Sequence, residues 1–157
     1  MDAFYAAVEM RDDPSLYEKP LAIGDKNMIM TTNYFARSFG IRSGVPGFIG
    51  KKLCPNLIFM RPNYTKYRVA SDEIKAILKV YDPNLECVGL DEANLDITDY
   101  LIKNDMNNEM GRLFVAQKVR QEIRDITRMT ASCGIACNKM LAKICSDMNK
   151  PDGQTYL

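Results

Sequence analysis

Val88-Gly89-Leu90-Asp91-Glu92-Ala93-Asn94-Leu95-Asp96-Ile97 sets two adjacent carboxylates between two short apolar runs of strand character. Side chains alternate faces along a strand, so Asp91 and Glu92 project together only if the backbone turns between the runs. A hairpin with strands over 85–90 and 93–97 supplies that turn and holds the acids at a rigid edge. Neighbouring carboxylates repel, and a divalent cation relieves the repulsion. Hard oxygen donors of this kind suit Mg2+, which commonly takes one or two carboxylates together with substrate phosphates. The same pair also fits a solvated acidic turn, because Asp is a favoured turn residue. Spacing alone does not separate the two readings.

Outward from the hairpin, the pattern predicts a mixed order of elements. Toward the N-terminus lie a helix over 4–10, capped by Asp2 and stopped near Pro14, and strands over 21–24 and 29–33. Helices over 34–39, closed by Gly40, and over 46–53, ended by Pro55, precede a strand over 57–60. A long helix over 63–81 carries Tyr67, Ala70, Ile74, Ile77, Leu78 and Tyr81 at helical spacing. Beyond the hairpin, 99–112 reads as a loop or frayed helix. It leads into an amphipathic helix over 113–128 with Val115, Val119, Ile123 and Ile126 inward. A strand over 129–136 follows, then a helix over 139–149 capped by Asn138, with Leu141, Ile144, Cys145 and Met148 on one stripe. Pro151-Asp152-Gly153 is a turn before a final strand. The fold class is α+β, an antiparallel sheet covered by helices, with residues 20–80 as a separate, mainly helical lobe.

Composition bounds the chemistry. A chain of 157 residues with 46% hydrophobic content suits one domain or two small lobes around a sizeable core. The net charge of +1 gives no global signature for a polyanion partner. Charge is uneven, however: 37–52 and 61–68 carry Arg37, Arg42, Lys51, Lys52, Arg61, Lys66 and Arg68 with no acid, which fits a phosphate-facing patch or an ordinary solvated surface. There is no histidine, which excludes Ser-His and Cys-His catalysis and a Cys/His zinc set. Five cysteines without a paired framework point to buried thiols in a reducing compartment. No apolar run is long enough to span a membrane.

Several segments together resemble one family. They are Met1-Asp2-Ala3-Phe4-Tyr5-Ala6-Ala7-Val8-Glu9, Asn33-Tyr34-Phe35-Ala36-Arg37, Leu90-Asp91-Glu92-Ala93, and Gly134-Ile135-Ala136-Cys137-Asn138-Lys139-Met140-Leu141-Ala142-Lys143, continuing through Ser146-Asp147-Met148-Asn149-Lys150-Pro151-Asp152-Gly153. In order and spacing the chain resembles Y-family translesion DNA polymerases of the DinB/kappa branch. The resemblance implies a palm over 1–19 and 81–157 and fingers over 20–80, with the thumb and little finger absent from this chain. It also implies that the first palm strand is missing. The family motif there ends Asp-x-Asp, Met1 stands at its middle position and Asp2 at its second Asp, so the third metal carboxylate is expected upstream.

The resemblance further implies transfer of a nucleotide from a dNTP to a primer 3′-hydroxyl with two Mg2+ ions. Asp91 would bridge the ions, Glu92 would bind the one at the primer end, and the Met1 backbone carbonyl would be a further ligand. Asp2 is expected as a helix cap. Tyr5 matches the family's steric gate against a 2′-hydroxyl, supported by Phe4. Thr31, Tyr34 and Arg37 match the residues that hold the triphosphate; Tyr34 and Arg37 share a helix face, and a guanidinium binds phosphate oxygens bidentately. Lys150 matches a lysine that reaches the triphosphate from the palm, while Lys143 is expected to be structural or to face DNA. Implied partners are primer-template DNA and a sliding clamp or translesion scaffold recruited through regions outside this chain, in the nucleus, with no membrane. Two positions depart from the family pattern: Gly89 stands where Ser is usual and Asn94 where Tyr is usual. Two other readings remain: a catalytically inactive palm-fingers remnant that binds nucleotide or a partner, and another palm-fold enzyme such as a cyclase. Tyr5 and the Tyr34/Arg37 pair argue against the cyclase.

Overall fold

Each part of the chain packs around an apolar cluster of its own. The computed structural model describes residues 1–157, which divide into two compact units: Ala3–Tyr67, and Arg68–Leu157 together with Met1–Asp2. No helix is long and apolar enough to cross a membrane.

The Ala3–Tyr67 unit contains α1 (Phe4–Asp12), β1 (Leu21–Gly24), β2 (Ile29–Thr32), α2 (Tyr34–Arg37), α3 (Gly47–Leu53) and β3 (Ile58–Met60). It also holds the first turn of α4 (Tyr64–Leu78). β1 lies between its partners, antiparallel to β2 and parallel to β3. Its Leu21-Ala22-Ile23 run is fully buried, as expected for a central strand covered on both faces. Ala22, Ile29, Ala36, Ile41, Cys54 and Leu57 form the core here, with Phe59 packed against it. The buried Asn33 ties strand to helix. Its Oδ1 accepts from Ala36 N at 2.9 Å, capping α2, and from Leu21 N at 3.1 Å, while its Nδ2 donates to the Lys19 carbonyl at 2.8 Å. The helix expected over 34–39 stops at Arg37.

The other unit continues α4 and adds the hairpin β4 (Glu86–Val88) and β5 (Glu92–Asn94), then α5 (Thr98–Lys103) and α6 (Glu109–Thr127). β6 (Cys133–Ile135), α7 (Lys139–Met148) and β7 (Gln154–Tyr156) complete it. β6 and β7 pair in parallel, with α7 as the crossover that parallel strands require. α7 lies so close to β6 that a Cβ on Gly134 would run into the Ala142 carbonyl. Tyr81, Leu101 and Val115 are the buried centre of this unit's cluster, flanked by Leu95, Ile97, Tyr100, Met106 and Val119.

Several sequence expectations are corrected. Asp2 does not cap α1: the helix follows Ala3, which holds a left-handed conformation (φ 47°) and makes no side-chain cap. The Asp2 carboxylate instead accepts from Ser132 Oγ at 2.7 Å and Asp152 N at 2.9 Å. The 99–112 stretch forms α5 and the start of α6, because Leu101 is buried and Asn108 Oδ1 caps α6 through Gly111 N at 2.9 Å. Ile126, expected inward, is 65% exposed; the buried side of α6 runs through Val115, Ala116, Ile123 and Thr127. On α7, Cys145 is buried but Ile144 and Met148 are exposed. With Met140 they form a second apolar row facing outward, at the i, i+4, i+8 spacing that an inward stripe would also show. The strand expected over 129–136 shrinks to Cys133–Ile135.

Candidate active site

In the β4–β5 hairpin Val88 pairs with Glu92, Cys87 with Ala93 and Glu86 with Asn94. The turn therefore consists of Gly89, Leu90 and Asp91. Gly89 takes φ +70°, a region costly for residues with a Cβ. Asp91 is the last residue of the turn and Glu92 the first of β5, so the bend falls one position earlier than the adjacent acids alone suggested. Two contacts fix the turn. Ser71 Oγ on α4 donates to the Leu90 carbonyl at 2.5 Å, and the Met1 ammonium donates to the Asp91 carbonyl at 2.6 Å.

Cations gather around the acids. Lys143 Nζ on α7 lies 2.6 Å from Glu92 Oε1, and Lys139 pairs with Glu86. Lys150 Nζ lies 2.7 Å from Asp147 Oδ1 and holds that carboxyl below its ordinary range. Burial depresses the Met1 ammonium below its ordinary pKa; the negative charges of Asp91, Asp2 and Glu92 oppose this, and Lys150 adds to it. Met1, Asp91, Glu92 and Lys150 thus share one electrostatic neighbourhood. A brace holds the chain start within it. Asp2 N donates to the Thr130 carbonyl at 3.0 Å, and the Asp2 carboxylate receives Ser132 and Asp152. Asp152 pairs with both Arg120 and Arg124. Arg120 Nε also donates to the Ala131 carbonyl at 2.9 Å, and its Nη1 to Gln154 Oε1 at 3.1 Å. No group of three or more His, Cys, Asp or Glu side chains is placed to hold a metal ion. Asp91 and Glu92 are two hard oxygen donors on a fixed turn, a set that suits Mg2+ when substrate phosphates supply the remainder.

The remaining candidates lie in the Ala3–Tyr67 unit. Phe4 is buried and Tyr5 half-buried on the first turn of α1. The Tyr5 ring is stacked on Tyr67 with centroids 4.4 Å apart and 12° between planes, edge-on to Tyr64 at 6.1 Å, and 5.7 Å from Phe4. Thr31 on β2 is partly exposed, whereas the next residue, Thr32, is buried and donates to the Ile41 carbonyl at 3.0 Å. Tyr34 opens α2 and Arg37 closes it, with the Arg37 guanidinium 4.4 Å above the Tyr34 ring centroid. Arg37 Nε donates to the Thr32 carbonyl at 3.2 Å, which fixes the fork while its two Nη groups remain donors. Sequence reasoning missed the supports: Ser71, Arg120 and the Glu9–Tyr67 contact described below. Only Tyr67 carried a signal, its place on the apolar side of α4.

Comparison with solved structures identifies the class. The fold is that of the DNA polymerase palm region. DinB from Sulfolobus solfataricus superposes with a TM-score of 0.90 at 32% identity, over 99% of this chain and 46% of that one. An insertion ternary complex of Dbh DNA polymerase gives 0.90 at 31%, over the same shares. The chain belongs to the impB/mucB/samB family, which it matches over residues 1–147, and so to the Y-family polymerases. It is 47% identical over 157 residues to DNA polymerase kappa of Arabidopsis thaliana, covering 100% of this chain and 23% of that protein. It is 45% identical over 161 residues to DNA polymerase IV of Protochlamydia amoebophila, covering 100% of this chain and 45% of that protein. The chain therefore spans less than half the length of these relatives.

Proposed function

We propose that this chain is the palm and fingers portion of a translesion DNA polymerase, with palm over 1–19 and 81–157 and fingers over 20–80. Its reaction is template-directed nucleotidyl transfer from a dNTP to a primer 3′-hydroxyl. The observation that carries the reading is the hairpin turn. Ser71 and Met1 hold its backbone, and it presents Asp91 together with Glu92, which Lys143 pairs. Asp91, Glu92 and the Met1 carbonyl would hold the divalent cations. When bound, two Mg2+ ions would lower the pKa of the primer hydroxyl and neutralise charge on the triphosphate. Glu92 must exchange its Lys143 partner to do so, which an exposed ion pair does at little cost. Lys150 would contribute positive charge toward the triphosphate. Arg37, with Thr31 and Tyr34, would take phosphate oxygens in bidentate fashion. Tyr5, supported by Phe4, would exclude the 2′-hydroxyl that separates ribonucleotides from deoxyribonucleotides. Primer-template DNA is the partner, with a clamp or scaffold engaging the longer protein, in the compartment that holds chromosomal DNA, the nucleus in a eukaryote.

A second reading is a catalytically inactive palm-fingers remnant that binds nucleotide or a partner. Primer extension with dNTPs and Mg2+, run on the wild-type chain and Asp91→Asn, separates the two. Extension that Asp91→Asn abolishes supports the polymerase. Metal-dependent dNTP binding without extension supports the remnant. Extension that is unchanged in Asp91→Asn refutes the metal role of the hairpin.

A further inference from the structure

We propose that Glu9 is a positioning residue for sugar selection: its carboxylate fixes the Tyr67 ring, and Tyr67 fixes the plane of Tyr5. The proposal rests on the reading of Tyr5 as the residue that faces the nucleotide sugar.

Glu9 follows Tyr5 by one helical turn on α1, so the two share a face. It is only 4% exposed, and a carboxylate is kept there only when it is paired and hydrogen-bonded. Both partners come from consecutive residues at the start of α4. Tyr67 Oη donates to Glu9 Oε1 at 2.9 Å, and Lys66 Nζ donates to Glu9 Oε2 at 2.6 Å. Lys66 also reaches Asp12 Oδ2 at 2.8 Å, which ties the lysine to two successive turns of α1. The phenol is thus anchored at its tip by a carboxylate that is itself anchored.

The Tyr67 ring is fully buried, and one of its faces is the stacking platform for Tyr5. Tyr64 and Phe4 close in edgewise, at 75° and 60° to Tyr67. Each ring is therefore held by its neighbours, and Tyr67 has in addition a buried carboxylate acceptor that sets its own orientation. Burial raises the Tyr67 phenol pKa well above its ordinary value, so it remains a donor through the neutral range. Discrimination by a ring against one hydroxyl depends on displacements of a fraction of an ångström. A platform free to tilt would let Tyr5 yield to the larger sugar. Loss of the Glu9–Tyr67 bond should therefore admit the ribonucleotide rather than reject the deoxyribonucleotide. A purely structural role would weaken binding of both nucleotides alike.

The test is the ratio of dATP to ATP affinity, measured by calorimetry with Mg2+ on the 157-residue chain. Variants are Tyr5→Ala, Tyr67→Phe, Glu9→Leu and Glu9→Gln. We expect wild type to prefer dATP and Tyr5→Ala to lose the preference. Tyr67→Phe and Glu9→Leu should cut it about fivefold, the factor that one net hydrogen bond corresponds to, through tighter ATP binding. Glu9→Gln keeps an oxygen acceptor for Tyr67 Oη and should recover most of the preference. Should Glu9→Leu not fold, Tyr67→Phe, which removes a single oxygen and keeps the stack, decides. A preference lost in Tyr5→Ala yet intact in Tyr67→Phe and Glu9→Leu overturns the role of Glu9 and leaves that of Tyr5. Absence of any preference in wild type, or none lost in Tyr5→Ala, overturns the reading of Tyr5 and this inference with it.

Discussion

Replacing Asp2 with Ala tests whether the chain start is braced or merely capped. The buried carboxylate accepts from Ser132 Oγ at 2.7 Å and Asp152 N at 2.9 Å, and Asp152 in turn engages Arg120 and Arg124. Hydrogen bonds to a charged acceptor contribute about 1.5–3 kcal/mol each. Asp2→Ala removes both, and it leaves the Asp152 N–H without its acceptor. A loss of about 3 kcal/mol follows from the lower bound. At roughly 3 °C per kcal/mol for a chain of this size, Tm falls by about 9 °C. A helix cap would be worth about 1 kcal/mol, or roughly 3 °C. Far-UV circular dichroism is the suitable probe, since the chain has no tryptophan. Asp2→Asn should fall between the two: its Oδ still accepts from Ser132, but its amide meets the Asp152 N–H donor to donor. An Asp2→Ala shift no larger than the capping figure would refute the brace.

Three further outcomes follow. Gly89→Ser, which installs the residue usual in the family, meets open space but must hold φ +70°, so it should cost about 1 kcal/mol by chemical denaturation. No loss of stability would mean that the turn adopts another geometry. Lys143→Ala removes an exposed partner of Glu92. It should leave Tm nearly unchanged and tighten Mg2+ binding by about twofold to fivefold in a titration, because the ion no longer displaces a lysine; weaker metal binding would show that Lys143 assists the ion instead. The Asp12–Lys66 pair predicts a pH dependence with two limbs. The hydrogen bond from Lys66 lowers the Asp12 pKa, so its stabilisation is present above the ordinary 3.8 and is lost as pH falls below it. Burial lowers the Lys66 pKa, but Asp12 and Glu9 carry it above the ordinary 10.5, so its share is lost as pH rises past that value. Both side chains are about a third exposed (33% and 39%), so the effect should be small and weakened by salt. Lys66→Met should flatten both limbs of a Tm-against-pH curve, and limbs that persist would assign them to other groups.

Local signals were legible in the sequence where the physics is local. Asn138 caps its helix as its position before an apolar run suggested, whereas Asn33, read as the end of a strand, also proves to be a cap. The helical spacing of Tyr67, Ala70, Ile74, Ile77 and Leu78 marks a buried side of α4, and the Leu21-Ala22-Ile23 run marks a buried strand. Asp2 misled because its short-range option, a cap, is the only one visible in sequence. The partners that won, Ser132 and Asp152, lie at the far end of the chain. Ile126, Ile144 and Met148 misled because periodicity identifies an apolar row but not whether a second row competes for the core. At the candidate site, the acids and the Tyr34/Arg37 pair were marked by motif. Their supports were not: Ser71 against Leu90 and Glu9 against Tyr67 depend on how distant segments meet.

The central claim is that Asp91 and Glu92 hold magnesium for a bound deoxynucleotide. Calorimetric titration of Mg2+-dATP into wild type, Asp91→Asn and Glu92→Gln measures it directly. Each substitution should weaken binding by about tenfold or more, since each removes an anionic ligand of the cation. Wild type should lose the same affinity when Mg2+ is withheld. Equal affinities in all three proteins, with and without the metal, would contradict it.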